Sequence, residues 1–229
     1  MTDSALRELA DDPSSRKRFF KMLGGAGAVS AFSVVLAACG DDDKKSAKPA
    51  PVAKASDDSN KSDLEILNYA LTLEFLEADF YAQVIDSGMV KDPKVGSIAK
   101  KFGATEQEHV DALTATIKKL GGKPVSAPES NFGPTFDKGL MATLEAAADV
   151  ENLGAAAYLG QAGNIKSKEV LAAALAIHTV EARHAAALNT LVGRGFGGKG
   201  GLKGALPDGA FGKPMDMKSV LAAVKPFLA

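Results

Sequence analysis

Apolar residues recur in alternating steps of three and four along four stretches of the chain, at about residues 63–87, 93–120, 137–162 and 167–192. That spacing lines one face of an α-helix. Punctuation agrees with it. Ser62 stands as an N-cap before the first stretch and Gly88 stops it. Gly121 and Gly122, with Pro124 beyond, end the second, Gly163 the third and Gly193 the fourth. The pattern predicts an all-α fold of four packed helices.

Each stretch has a core-facing seam with one charged residue near its middle. The first seam is Leu67, Leu71, Glu74, Ala78, Tyr81 and Ile85, and the second is Phe102, Glu106, His109, Leu113, Ile117 and Leu120. The third is Leu144, Ala148, Glu151, Ala155, Tyr158 and Ala162, and the fourth is Ile177, Glu181, His184, Leu188 and Leu191. Each glutamate falls within about two residues of its stretch's midpoint. Packed side by side, the helices would bring all four carboxylates to one level, joined by His109 and His184.

The stretches also pair as a repeat. Glu74 and Tyr81 are seven apart, as are Glu151 and Tyr158, and each ExxH pair, Glu106/His109 and Glu181/His184, is three apart. The chain therefore reads as two similar helical hairpins. The connection between them, residues 121–136, is long enough to reach roughly 53 Å. A 26-residue helix is about 39 Å long. A bundle with one long crossover follows.

Four carboxylates and two imidazoles cannot share a dry core as they stand. Like charges repel, and desolvation costs several kcal/mol per ion. Either some carboxyls hold protons or two divalent cations offset the four negative charges. Carboxylate and imidazole together suit iron, manganese or zinc. The ExxH spacing turns both side chains to one helix face, within reach of one ion. Glu74 and Glu151 would bridge or cap, and the hydroxyls of Tyr81 and Tyr158 would hold a ligand's orientation. The other charges read as bystanders. Glu77, three residues after Glu74, is open to a role as an alternative ligand, but it falls off the seam and is expected to be a flanking charge, as is Glu145 relative to Glu151; Glu108 is expected to face solvent, and His178 to lie at the surface or behind the ligands.

Composition narrows the function classes. The 229 residues are 46% hydrophobic with a net charge of −1, which offers no global field for nucleic acid. The single cysteine, Cys39, rules out an intrachain disulfide framework.

The ordered quartet of E-x6-Y, ExxH, E-x6-Y and ExxH resembles the ferritin-like superfamily. The phrases "ILNYALTLEFLEADFY", "VENLGAAAYLG" and "VEARHAAAL" are similar to the bacterial ferritin-like proteins related to desiccation-associated proteins. The resemblance spans about residues 63–192. It implies a ferritin-like bundle with a pair of metal ions, iron first and manganese second, held by Glu74, Glu106, His109, Glu151, Glu181 and His184. It also implies reaction with oxygen or peroxide. The superfamily contains iron-oxidising, oxygenating and peroxide-disproportionating members, so an oxidoreductase is expected without its reaction being fixed. A stress- or desiccation-associated structural or binding protein, using the metals for stability, is the alternative. No rubredoxin-like cysteine pair is present to serve as a built-in electron carrier.

The ends of the chain carry other signals. Basic residues at 15–21, an apolar run at 22–38 and small residues beyond describe a secretory signal. "SRKRFFK" is similar to a twin-arginine export motif, with Arg16 and Phe19 in place and Lys17 where the second arginine belongs, which leaves the general secretory route open. "LAAC", ending at Cys39, resembles a bacterial lipobox. That resemblance implies cleavage before Cys39, lipidation of its thiol and anchoring at the outer face of a bacterial membrane. Residues 40–61 read as a disordered tether. Residues 193–204 form a glycine-rich linker, and residues 216–228 a short amphipathic helix docked on the bundle.

Overall fold

The computed structural model describes residues 57–194 and 211–228. The stretch read as an export signal, Cys39, residues 40–56 of the expected tether and residues 195–210 lie outside the described residues. Helix α1 spans Asp57–Asp86 and α2 Pro93–Lys119. A single turn, α3, spans Gly133–Phe136; α4 spans Leu140–Ala162, α5 Lys168–Leu191 and α6 Met217–Val224, and a 3₁₀ turn at Lys225–Phe227 ends the series. Among the described residues, no helix is long and apolar enough to cross a membrane.

Local chemistry fixes most of the ends. Asp92 caps α2 by accepting from Lys94 N and Val95 N, with Pro93 at the first position, where its missing N–H costs nothing. Ser167 caps α5 and Asp216 caps α6 through their side chains. Two ends differ from expectation. Helix α1 begins at Asp57, so Ser62 is an interior residue and residues 57–61 are helix rather than tether. A second anchor is Asp63, fully enclosed, whose carboxylate accepts Lys166 N at 2.8 Å and Ser167 N at 2.7 Å. It ties α1 to the entrance of α5. The third helix starts at Leu140, not 137, because Gly139 takes φ +92° between it and α3. Few residues other than glycine adopt that conformation.

The crossover follows α1 along its length. Asn68 exchanges hydrogen bonds with Lys123 O and Val125 N, and farther up α1 Asp79 accepts from the Ser130 hydroxyl. Phe132 then packs edge-to-face on Phe80, their ring centres 5.0 Å apart. The chain thus leaves the bottom of α2 and re-enters at the top of α4. Helices α2 and α4 run in one direction, α1 and α5 in the other, as the long linker requires.

Two apolar clusters result. Phe80, Tyr81, Val84, Phe132, Ala147, Leu188, Val220 and Val224 belong to one. Leu67, Leu71, Val110, Leu113, Ile117, Tyr158 and Ile177 belong to the other. The polar layer lies between them. Ile85, placed on the seam by its spacing, is exposed because α1 ends one residue later. Helix α6 docks as expected through Val220 and Val224, and Met215 N donates to Ala156 O at 3.0 Å. Alanine-rich α4 is therefore covered by α5 on one side and by the C-terminal segment on another, which is why its polar face is so narrow.

Candidate metal centre

The structure brings all six seam residues to one place. Glu74, Glu106, Glu151 and Glu181 are fully buried, and His109 and His184 are 8% and 6% exposed. One ligand atom from each of Glu74, Glu106, His109 and Glu181 lies within 4.8 Å of the others; so do atoms of Glu106, Glu151, Glu181 and His184. The two groups share Glu106 and Glu181. Of the two roles open to the E-x6-Y glutamates, the geometry selects capping. Each belongs to one group, while the ExxH glutamates stand between both.

An approximate two-fold relation runs through the distances. His109 Nδ1 lies 2.8 Å from Glu106 Oε2, 3.1 Å from Glu74 Oε2 and 3.1 Å from Glu181 Oε1. His184 Nδ1 lies 2.8 Å from Glu106 Oε1 and 3.2 Å from Glu151 Oε2. The tyrosines cross between hairpins: Tyr81 Oη donates to Glu151 Oε1 and Tyr158 Oη to Glu74 Oε1, both at 2.5 Å. Each capping carboxylate therefore has one oxygen fixed by a phenol and one turned toward the histidines. The ring of Phe102 stacks on His184 at 3.7 Å between centres and fixes its plane.

The donor set fits a pair of cations. Among the described residues, Glu106 Oε1, Glu151 Oε2, both Glu181 oxygens and His184 Nδ1 are buried without a hydrogen-bond partner. Several of these atoms approach within about 3 Å, yet not along an N–H direction. Atoms crowded around a shared point, with their lone pairs converging, are arranged as ligands rather than as donor and acceptor. Without metal the layer is costly. Burial pushes the Glu74, Glu151 and Glu181 carboxyls up, with Glu74 and Glu106 adding repulsion at Glu181. Burial acts the same way on Glu106, but His109 and His184 outweigh it and hold that carboxyl down at about 2. Burial would lower both imidazoles. Their carboxylate neighbours reverse the sign, raising His184 to about 9 and His109 further.

One residue read as a bystander belongs to the layer. Glu77 is 2% exposed, not a flanking charge, and its Oε2 has no partner among the described residues. Its carboxyl is driven well up by burial and then by Glu181, Glu74, Glu151 and Glu106. The space for it comes from Gly154. A Cβ there would lie 2.8 Å from Glu77 Oε1 and 2.9 Å from Glu181 Oε2. Glu145 and Glu108 are exposed, as expected. His178 is half-buried and outside the centre, its Nδ1 3.0 Å from Ala155 O.

Residues 62–194, more than half of the chain, match the ferritin-like domain family, and the chain belongs to it. No curated protein sequence matches the chain.

Proposed function

We propose that this is an exported, lipid-anchored ferritin-like protein whose six-residue centre binds two divalent ions, iron first and manganese second, and oxidises Fe(II) with dioxygen or peroxide. The observation that carries the reading is the pair of ligand groups sharing Glu106 and Glu181, with buried oxygens left unpartnered at their meeting point. Ions held by these residues would supply electron transfer to an oxygen-containing oxidant.

The chain's own part is to position and to enclose. Glu106 and Glu181 set the spacing of the two positions. Tyr81 and Tyr158 keep Glu151 and Glu74 from turning away. The four ligand carboxylates have no exposed surface, which favours ions and small oxidants over any bulky organic substrate. A cavity of about 20 Å³ beside Tyr81, lined by Phe80, Val84, Ile98, Leu144 and Leu188, holds one or two molecules of water's size. Its apolar wall suits dioxygen better than peroxide. The export signal and the lipobox-like "LAAC" support a site outside the cytoplasm at a membrane surface.

The test is turnover. Purified protein supplied with Fe(II) should consume dioxygen or peroxide steadily over many equivalents of iron, and a Glu106→Ala, Glu181→Ala variant should not. Tight binding of metal with no consumption would contradict the redox reading and favour a structural role.

A further inference from the structure

The two halves of the centre are not equivalent. The offset that carries Glu74 to Glu151 and Tyr81 to Tyr158 also carries Glu77 to Gly154. The two-fold mate of a buried carboxylate is therefore a residue with no side chain, and the structure sets the two against each other. Glu77 Oε1 and Glu181 Oε2 lie 2.8 Å and 2.9 Å from the point where Gly154 would carry a Cβ. A side chain at 154 would force both carboxyl groups to move. Glu77 is 2% exposed, and its Oε2 is unpartnered among the described residues. A buried carboxyl with an oxygen left unpartnered is costly to keep. Filling space would need only a leucine or a glutamine. The four glutamates of the two ligand groups, to which Glu77 does not belong, already offset two divalent charges, and with Gly154 as its mate Glu77 has no carboxylate opposite it.

We propose that Glu77 is a seventh protein ligand of the centre, acting on one side only, so that the two metal positions bind with unequal affinity. The inference rests on the di-metal reading above. It names an asymmetry that neither the repeat nor the paired ExxH motifs contain.

Cobalt(II) titration of the metal-free full-length protein tests it, because absorption reports coordination number as well as occupancy. The parent should take up two ions in two separable steps. Glu77→Gln should weaken one step by about tenfold or more, leave the other within about threefold and intensify the visible bands as a ligand is lost. Glu77→Asp, which withdraws the charge by one methylene, should weaken the same step by less. It keeps the question answerable should the glutamine variant not fold, which far-ultraviolet circular dichroism of the metal-free proteins will show. Two ions bound by a variant with the parent's affinities and spectrum would overturn the inference and leave the di-metal reading standing. A parent that takes up no ions would overturn both.

Discussion

Glu74 and Glu151 each accept a hydrogen bond from a tyrosine on the opposite hairpin, so the orientation of one half of the centre is set by the other. Tyr158→Phe removes the donor to Glu74 and leaves a buried acceptor unpaired, a cost of about 1–3 kcal/mol. Denaturant unfolding of the metal-free variant should show that loss, and metal titration should show affinity lower by about 10–100-fold. Unchanged affinity would mean that the phenol does not orient the carboxylate. The histidines set a pH dependence. His184 in the metal-free fold is raised from the ordinary histidine value to about 9. A group bound more tightly to its proton in the folded state stabilises that state fully below its unfolded pKa, about 6.5. The contribution disappears as pH rises through the folded value. The raised Glu181 carboxyl acts in the same direction. The metal-free protein should therefore lose melting temperature between about pH 6.5 and 9. At the upper end added divalent metal should restore more, since binding releases protons. At this scale the sequence displays six members of the layer because ExxH and E-x6-Y are local spacings on single helices. Glu77 is legible as a charge one turn from Glu74, but its burial is not, because its seat is the missing side chain of Gly154 on another helix. Asp63 is hidden likewise, since its partners, Lys166 N and Ser167 N, are about a hundred residues away. Setting the two halves of the repeat side by side, with Glu77 against Gly154, was the available signal.

The four long helices follow directly from their periodicity, and their stops follow from glycine. Their starts are less visible. The pattern locates where apolar contacts begin, whereas α1 begins earlier, in residues that carry no apolar seam. Helix α4 begins later, because Gly139 rather than Asp137 marks the entry. One contact between elements can be broken selectively. A Cβ on Gly160 would fall 1.9 Å from Met215 O, where the C-terminal segment crosses α4. Gly160→Ala should push that segment away and destabilise the fold by about 1–3 kcal/mol, as overpacking does. Hydrogen exchange should show lost protection in α6, while α2 in the other hairpin keeps its own. Protection of α6 unchanged from the parent would mean that the segment accommodates the methyl without moving.

Across the molecule, a single architectural choice serves the centre. The crossover sends α4 parallel to α2 and antiparallel to α1, so each E-x6-Y helix pairs with an ExxH helix within its hairpin. The two hairpins then face each other across the polar layer. Apolar clusters above and below keep water out, which strengthens every charge interaction inside. Metal bound only by the folded state adds stability by mass action, about 2.7 kcal/mol at a hundred times the dissociation constant. Thermal unfolding with rising Mn(II) should therefore move upward in the parent and stay fixed in a Glu106→Ala, Glu181→Ala variant. The most direct test is elemental analysis of the purified protein after reconstitution and removal of free metal. About two ions per chain are expected in the parent, one for each ligand group, with a large loss in the double variant. A parent with no bound metal, or a double variant that retains both ions, would contradict this.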